Sequence, residues 1–250
     1  MHIADAFGWG LIPGFGIVVG ALIGVYGRFG HSDVARMMAF GAGMLLAAAA
    51  VELAAEVVEV SPLSGLSALM IGAAVFSFGN ALLSTRGAEN RKRCGECVAQ
   101  PSEQASPNSG LAITLGTALD AVPESLILGL TLASGGPDIV LIAAITLGNL
   151  PEALSASAGM KAARRTERWI LSLWGGVGVG TAVLTVAGYL VAEIVSEQVA
   201  LLMQAFGAGA LLAMVSETLL PEAAHGAPRY SGIVAAAGFA GLLVLGALFG

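Results

Sequence analysis

Long apolar runs alternate with short polar breaks along this chain. Eight of the runs, at roughly 8–27, 34–58, 63–85, 110–132, 138–160, 168–192, 199–221 and 230–249, have the length of about 20 residues that a bilayer core demands. Each predicts a membrane-spanning helix. The breaks are short with one exception: from Arg86 to Ser109 the chain turns polar and carries Pro101 and Pro107, which predicts a loop and not a second domain. The expectation is an all-α polytopic membrane protein, a single transmembrane domain over 1–250 with a cytoplasmic loop at 86–109 between the third and fourth helices.

Composition removes the soluble alternatives. The 250 residues are 56% hydrophobic and 11% charged, with a mean hydropathy of +0.85; a soluble domain carries about 25% charged residues. Thirty-five glycines suit helices that approach closely in lipid. A net charge of −6 with no basic arm or aromatic-basic platform excludes nucleic acid as a partner. The N-terminus, Met-His-Ile-Ala-Asp, has no basic region ahead of its apolar run, so the first run is expected to stay as a span and not to be cleaved.

The basic residues set the orientation. All 11 Lys and Arg fall in alternate links: Arg28 and Arg36; Arg86, Arg91, Lys92 and Arg93; Lys161, Arg164, Arg165 and Arg168; and Arg229. The opposite side holds Glu59, Asp138, Glu193 and Glu197. The positive-inside rule then makes the basic side cytoplasmic and places both termini outside. A wrong number of spans would scramble this partition.

The second and seventh spans share a segment. Phe40-Gly-Ala-Gly-Met-Leu-Leu-Ala47 recurs as Phe206-Gly-Ala-Gly-Ala-Leu-Leu-Ala213, with Glu56 and Glu222 at the same offset. The two spans cross in opposite directions, so the segments run antiparallel. Inverted repeats are a habit of transporters, whose substrate sites lie near the midplane where the repeats meet.

Two stretches place chemistry in the middle of lipid: Asp120-Ala-Val-Pro-Glu124 and Asn149-Leu-Pro-Glu152. An ionised carboxylate at the centre of a membrane helix costs about 2.5–3.5 kcal/mol on insertion scales. Asp120 and Glu124, four residues apart, share a helix face, as do Asn149 and Glu152, three apart. The short link from Ala133 to Pro137 makes spans four and five antiparallel neighbours, so the four side chains are expected to converge. Pro123 and Pro151 each remove a backbone hydrogen bond, freeing the carbonyls of Leu119 and Leu147 to face a polar cavity. Three carboxylates and an amide are hard oxygen donors suited to a divalent cation. A proton relay through Asp120 or Glu152, or neutral carboxyls hydrogen-bonded between helices, are the other readings of these residues.

These motifs resemble those of the ZIP metal transporters, which carry His-Asn-x-Pro-Glu-Gly in the fourth helix and x-x-x-Pro-Glu-Gly in the fifth. The matching stretches are Asp120-Ala121-Val122-Pro123-Glu124-Ser125 and Gly148-Asn149-Leu150-Pro151-Glu152-Ala153. The resemblance implies eight spans arranged as inverted three-helix repeats around a central pair (3+2+3). It also implies a carrier in a bacterial inner membrane that moves divalent cations such as zinc, manganese or iron(II) toward the cytoplasm. Its implied metal ligands are Asp120, Glu124, Asn149 and Glu152, with Met44 matching a second-helix methionine near the metal. Its implied partners are the divalent cations and the bilayer, with a homodimer as an assembly to test. The departures are specific. The family histidine is Asp120, its asparagine is Ala121, its glycines are Ser125 and Ala153, and span six has no acidic residue between Ile170 and Ala192. One metal site is implied, the second lacks its span-six carboxylate, and loss of the imidazole shifts preference from zinc toward harder ions.

Other residues extend the picture. Glu52 and Glu56 approach the outer end of span two, while Glu217, Glu222 and His225 approach the inner end of span seven; these are pathway candidates, or else solvated helix ends. Cys94-Gly-Glu-Cys97 is half of a structural zinc site and is expected to be free thiol in a reducing cytoplasm. A proton- or monovalent-cation-linked carrier, or a non-transporting relative, is the rival on the same scaffold, because Asp120 and Ala121 replace the family pair. An intramembrane protease is excluded: only Asp120 lies deep among the aspartates, and His2, His31 and His225 all sit at helix ends.

Overall fold

The structure, a computed structural model, describes residues 1–54, 62–85, 109–227 and 229–249. Among these residues eight helices are long and apolar enough to cross a membrane, and there is no strand. They are α1 (Ile3–Tyr26), α2 (Ser32–Ala54), α3 (Pro62–Leu83), α4 (Ser109–Ser134), α5 (Ile139–Ala162), α6 (Glu167–Ile194), α7 (Glu197–Gly226) and α8 (Ser231–Phe249).

Several helix ends lie beyond the apolar runs because polar residues cap them. The Asp5 carboxylate accepts a 2.9 Å hydrogen bond from the backbone N–H of His2, which starts α1 five residues before the run at 8. Asp138 caps α5, its Oδ1 accepting from the N–H groups of Val140 and Leu141, each at 2.9 Å. Thr166 and Ser196 cap α6 and α7 in the same manner.

The helices sort into two groups. In the first, α1 packs along α5 and α6, and α4 packs along α6; in the second, α3 packs along α7, and α8 along α2. Inside each group backbone meets backbone. A Cβ on Gly72 of α3 would collide with the Phe206 carbonyl oxygen of α7, and one on Gly238 of α8 with that of Phe40 in α2. Gly209 and Gly43 press in the same way on the carbonyls of Leu69 and Ala235. These are the glycines of the repeated segment and their partners, so α2 with α8 repeats the packing of α7 with α3. With no hydrophobic drive between helices in lipid, such close approach supplies the van der Waals contact that holds them.

Between the groups side chains intervene. Leu45 of α2 rests on Gly148 of α5, and Ile127 of α4 rests on Gly207 of α7. Enclosure follows from this layout: α5 is 72% buried along its apolar window, while α3 and α8 are each 11% buried and lie at the periphery. The apolar core between the groups is built from α2, α4, α5 and α7, with Met44, Leu45, Ile127, Leu141, Ile145 and Leu211 in it.

Both members of the repeat widen into π-helix. In α2 this covers Ala48–Ala54 and in α7 Val215–Leu219. π turns inside α-helices are rare and cluster at functional sites. Neither has a signature in the Ala-Ala-Ala-Val-Glu-Leu-Ala or Val-Ser-Glu-Thr-Leu pattern.

Candidate cation site

Pro123 and Pro151 both sit inside continuous helices, α4 and α5, with the polar residues of each motif flanking them. Counting from the outer link, Glu124 and Asn149 each stand ten residues in from their helix ends, about 15 Å at 1.5 Å per residue. Asp120 and Glu152 lie about one turn deeper, and the two motifs therefore occupy matched depths.

All of these side chains are buried: Asp120 is 3% exposed, Glu124 2%, Asn149 6%, Glu152 6% and Met44 1%. The Nδ2 of Asn149 is enclosed with no hydrogen-bond partner, an arrangement that costs about 1–3 kcal/mol for a buried polar group. The structure brings α2 to this level of α5. Around Gly41, α2 approaches the Cα of Gly148 at 3.1 Å and Cγ of Pro151 at 3.2 Å, measured from where a Cβ would stand. Met44, on the same stretch, is thus at the depth of Asn149 and Glu152.

Spans four and five are joined by a tight link, Gly135-Gly136-Pro137, in which Gly136 adopts a positive φ of 87°. They nevertheless touch along little of their length, since α4 packs mainly on α6 and α7, and α5 mainly on α1 and α2. Among the described residues no three His, Cys, Asp or Glu side chains stand close enough together to hold a metal ion. The donors form two half-sites, Asp120 with Glu124 and Asn149 with Glu152, one on each helix.

The pathway candidates separate. Glu52, in the π segment of α2, lines an outer cavity with Asp138 and Glu197. Glu217 turns sideways: its two carboxylate oxygens accept from the Ser77 hydroxyl and from the Asn80 amide of α3. His225 is exposed and its Nδ1 lies 3.2 Å from the Pro221 carbonyl, while Glu222 is half-buried. Glu56, Glu59, Cys94 and Cys97 lie outside the described residues, as does the loop up to residue 108. Sequence reasoning missed Gln204, which is 4% exposed and lines the outer cavity. It also missed the α3 pair Ser77 and Asn80. Polar residues one or two turns inside an apolar run were the available signal.

No curated protein matches this chain. The sequence model of a family described as ZIP zinc transporter matches residues 84–246, well over half of the chain and including both Pro-Glu motifs. With eight spanning helices and a buried carboxylate pair at matched depth, the chain belongs to the ZIP zinc transporter family.

Proposed function

We propose that this multi-pass membrane protein, a divalent metal transporter at the level of its family, moves its ion through a single mid-membrane site made by Asp120, Glu124, Asn149 and Glu152, with Met44 beside it. The observation that carries the reading is the burial of three carboxylates and an unpartnered amide at one depth on two proline-bearing helices. A divalent cation would offset the cost of burying that charge, and the oxygen donors would replace part of its hydration shell. The half-sites on α4 and α5 would close on the ion, and the two helix groups would shift so that each face opens in turn.

Direction follows from charge. With the Lys- and Arg-bearing links cytoplasmic, both termini face outside and uptake runs toward the cytoplasm. A bacterial inner membrane is the location that fits the resemblance. The donor set, in which Asp120 replaces the family histidine, suits manganese, iron(II) or magnesium better than zinc.

A proton- or monovalent-cation-linked carrier is the second reading, favoured by the separation of the carboxylates in this conformation. Uptake from a panel of divalent ions into proteoliposomes, with Glu152→Ala as control, tests the first. Divalent affinity that is unchanged in Glu124→Ala and Glu152→Ala would leave only the second.

A further inference from the structure

On the outer side of the helix groups lies a cavity of about 510 Å³, lined by residues of α2, α4, α6, α7 and the link between α4 and α5. Its charged groups are Glu52, Asp138 and Glu197; no lysine, arginine or histidine lines it. Asp138 uses Oδ1 for both of its helix-cap bonds, so Oδ2 takes no part in the cap. Thr131 and Ser134 also line the cavity, but their hydroxyls donate to the carbonyls of Leu128 and Leu130 in their own helix.

Gln204 is the exception among these polar groups. It is 96% enclosed and borders the cavity, and no hydrogen bond to its amide occurs among the described residues. A buried amide is ordinarily satisfied. Here the cavity is what faces it.

We infer that this cavity is a capture site for a hydrated divalent cation, ahead of and separate from the mid-membrane donors. The three carboxylates stand too far apart for direct coordination, so the ion keeps its water. The space is sufficient: about 510 Å³ against about 30 Å³ for each water molecule. A cleft of one charge sign with low-dielectric walls concentrates counter-ions by about tenfold or more, an effect that salt weakens. The Gln204 carbonyl oxygen accepts a hydrogen bond from the ion's water shell. The role as a first stop for cargo rests on the transport reading; binding of the ion does not.

The test is therefore binding first. In full-length protein in lipid nanodiscs, Glu124→Gln and Glu152→Gln together silence the central donors. Equilibrium dialysis with Mn²⁺ alone is then expected to find one remaining weak site whose affinity falls at least about tenfold between low and high salt. Adding Glu52→Gln, Asp138→Asn and Glu197→Gln, of which Asp138→Asn keeps the helix cap, is expected to remove that site. Gln204→Leu is expected to weaken it about threefold, the loss of one hydrogen bond. No residual site, or one indifferent to the three substitutions and to salt, overturns the inference. In proteoliposomes of the otherwise natural chain, the three substitutions are expected to raise the KM for external Mn²⁺ about tenfold. Absence of any uptake by the natural chain would sink the transport reading and leave the dialysis result standing.

Discussion

Asn80 and Glu217, 137 residues apart in sequence, meet at 2.9 Å, the Asn80 amide donating to a carboxylate oxygen of Glu217. The bond ties the π turn of α7 to α3 near their inner ends, and Ser77 supplies the other carboxylate oxygen with a donor. The matching place in the other half of the repeat is different. There Gly246 of α8 stands where Asn80 stands in α3. It brings no donor toward Glu52, whose Oε1 is 3.7 Å from where a Gly246 Cβ would be. Glu52 faces the outer cavity instead. One half of the repeat is fastened and the other is open.

That fastening has a measurable value. Asn80→Ala is expected to lower stability by about 0.6–1.7 kcal/mol, the range for polar contacts between membrane helices. Glu217→Ala should cost as much, and the double substitution no more than the larger single one plus a few tenths. Thermal unfolding in detergent, run as a double-mutant cycle, checks it; strictly additive losses would show that the two residues act independently.

The backbone seams predict a sharp contrast among glycines. Gly72→Ala and Gly238→Ala drive a methyl into the carbonyl oxygens of Phe206 and Phe40, and each is expected to destabilise by about 1–3 kcal/mol, as overpacking does. Gly176→Ala and Gly232→Ala meet open space and should raise stability slightly, because alanine is the better helix former. The same melting measurement reads both pairs.

Restoring an imidazole at the fourth-helix motif should move metal preference. Asp120→His replaces an oxygen donor by nitrogen, and the ratio of zinc to manganese uptake in a competition assay is expected to rise about tenfold. An unchanged ratio would place Asp120 outside the coordinating set.

Orientation is open to labelling. After Cys94→Ser and Cys97→Ser, a Gly135→Cys probe in the link between α4 and α5 should react with a membrane-impermeant maleimide added to intact cells. A Glu167→Cys probe at the start of α6 should react only after lysis. The reverse pattern would invert the topology.

How much of this was legible beforehand differs by feature. The eight spans were legible because hydrocarbon imposes a length and forbids charge, constraints visible in composition alone. Helix ends were less so: α1 extends back to Ile3 because Asp5 satisfies a backbone N–H there, a local bond that an apolar count does not register. The repeat of Phe40–Ala47 in Phe206–Ala213 was visible, and its glycines prove to be the seam with α8 and α3. The depth match of Glu124 with Asn149 followed from their spacing to a short link. The spread between α4 and α5 did not follow, since it depends on what each packs against. Nor did the role of Gln204, because a lone glutamine in an apolar run does not announce which neighbour leaves it unsatisfied.

The wide turns in α2 and α7 carry a consequence for changes of chain length. An α-helix advances about 100° per residue, so removing one alanine from Ala48–Ala50 would restore regular winding by swivelling the outer stub of α2 through roughly that angle. Glu52 would swing off the mouth of the cavity while the stretch around Met44 stayed where it is. The surplus residue thus acts as a spacer that lets one rod present two unrelated faces, one to each half of the membrane.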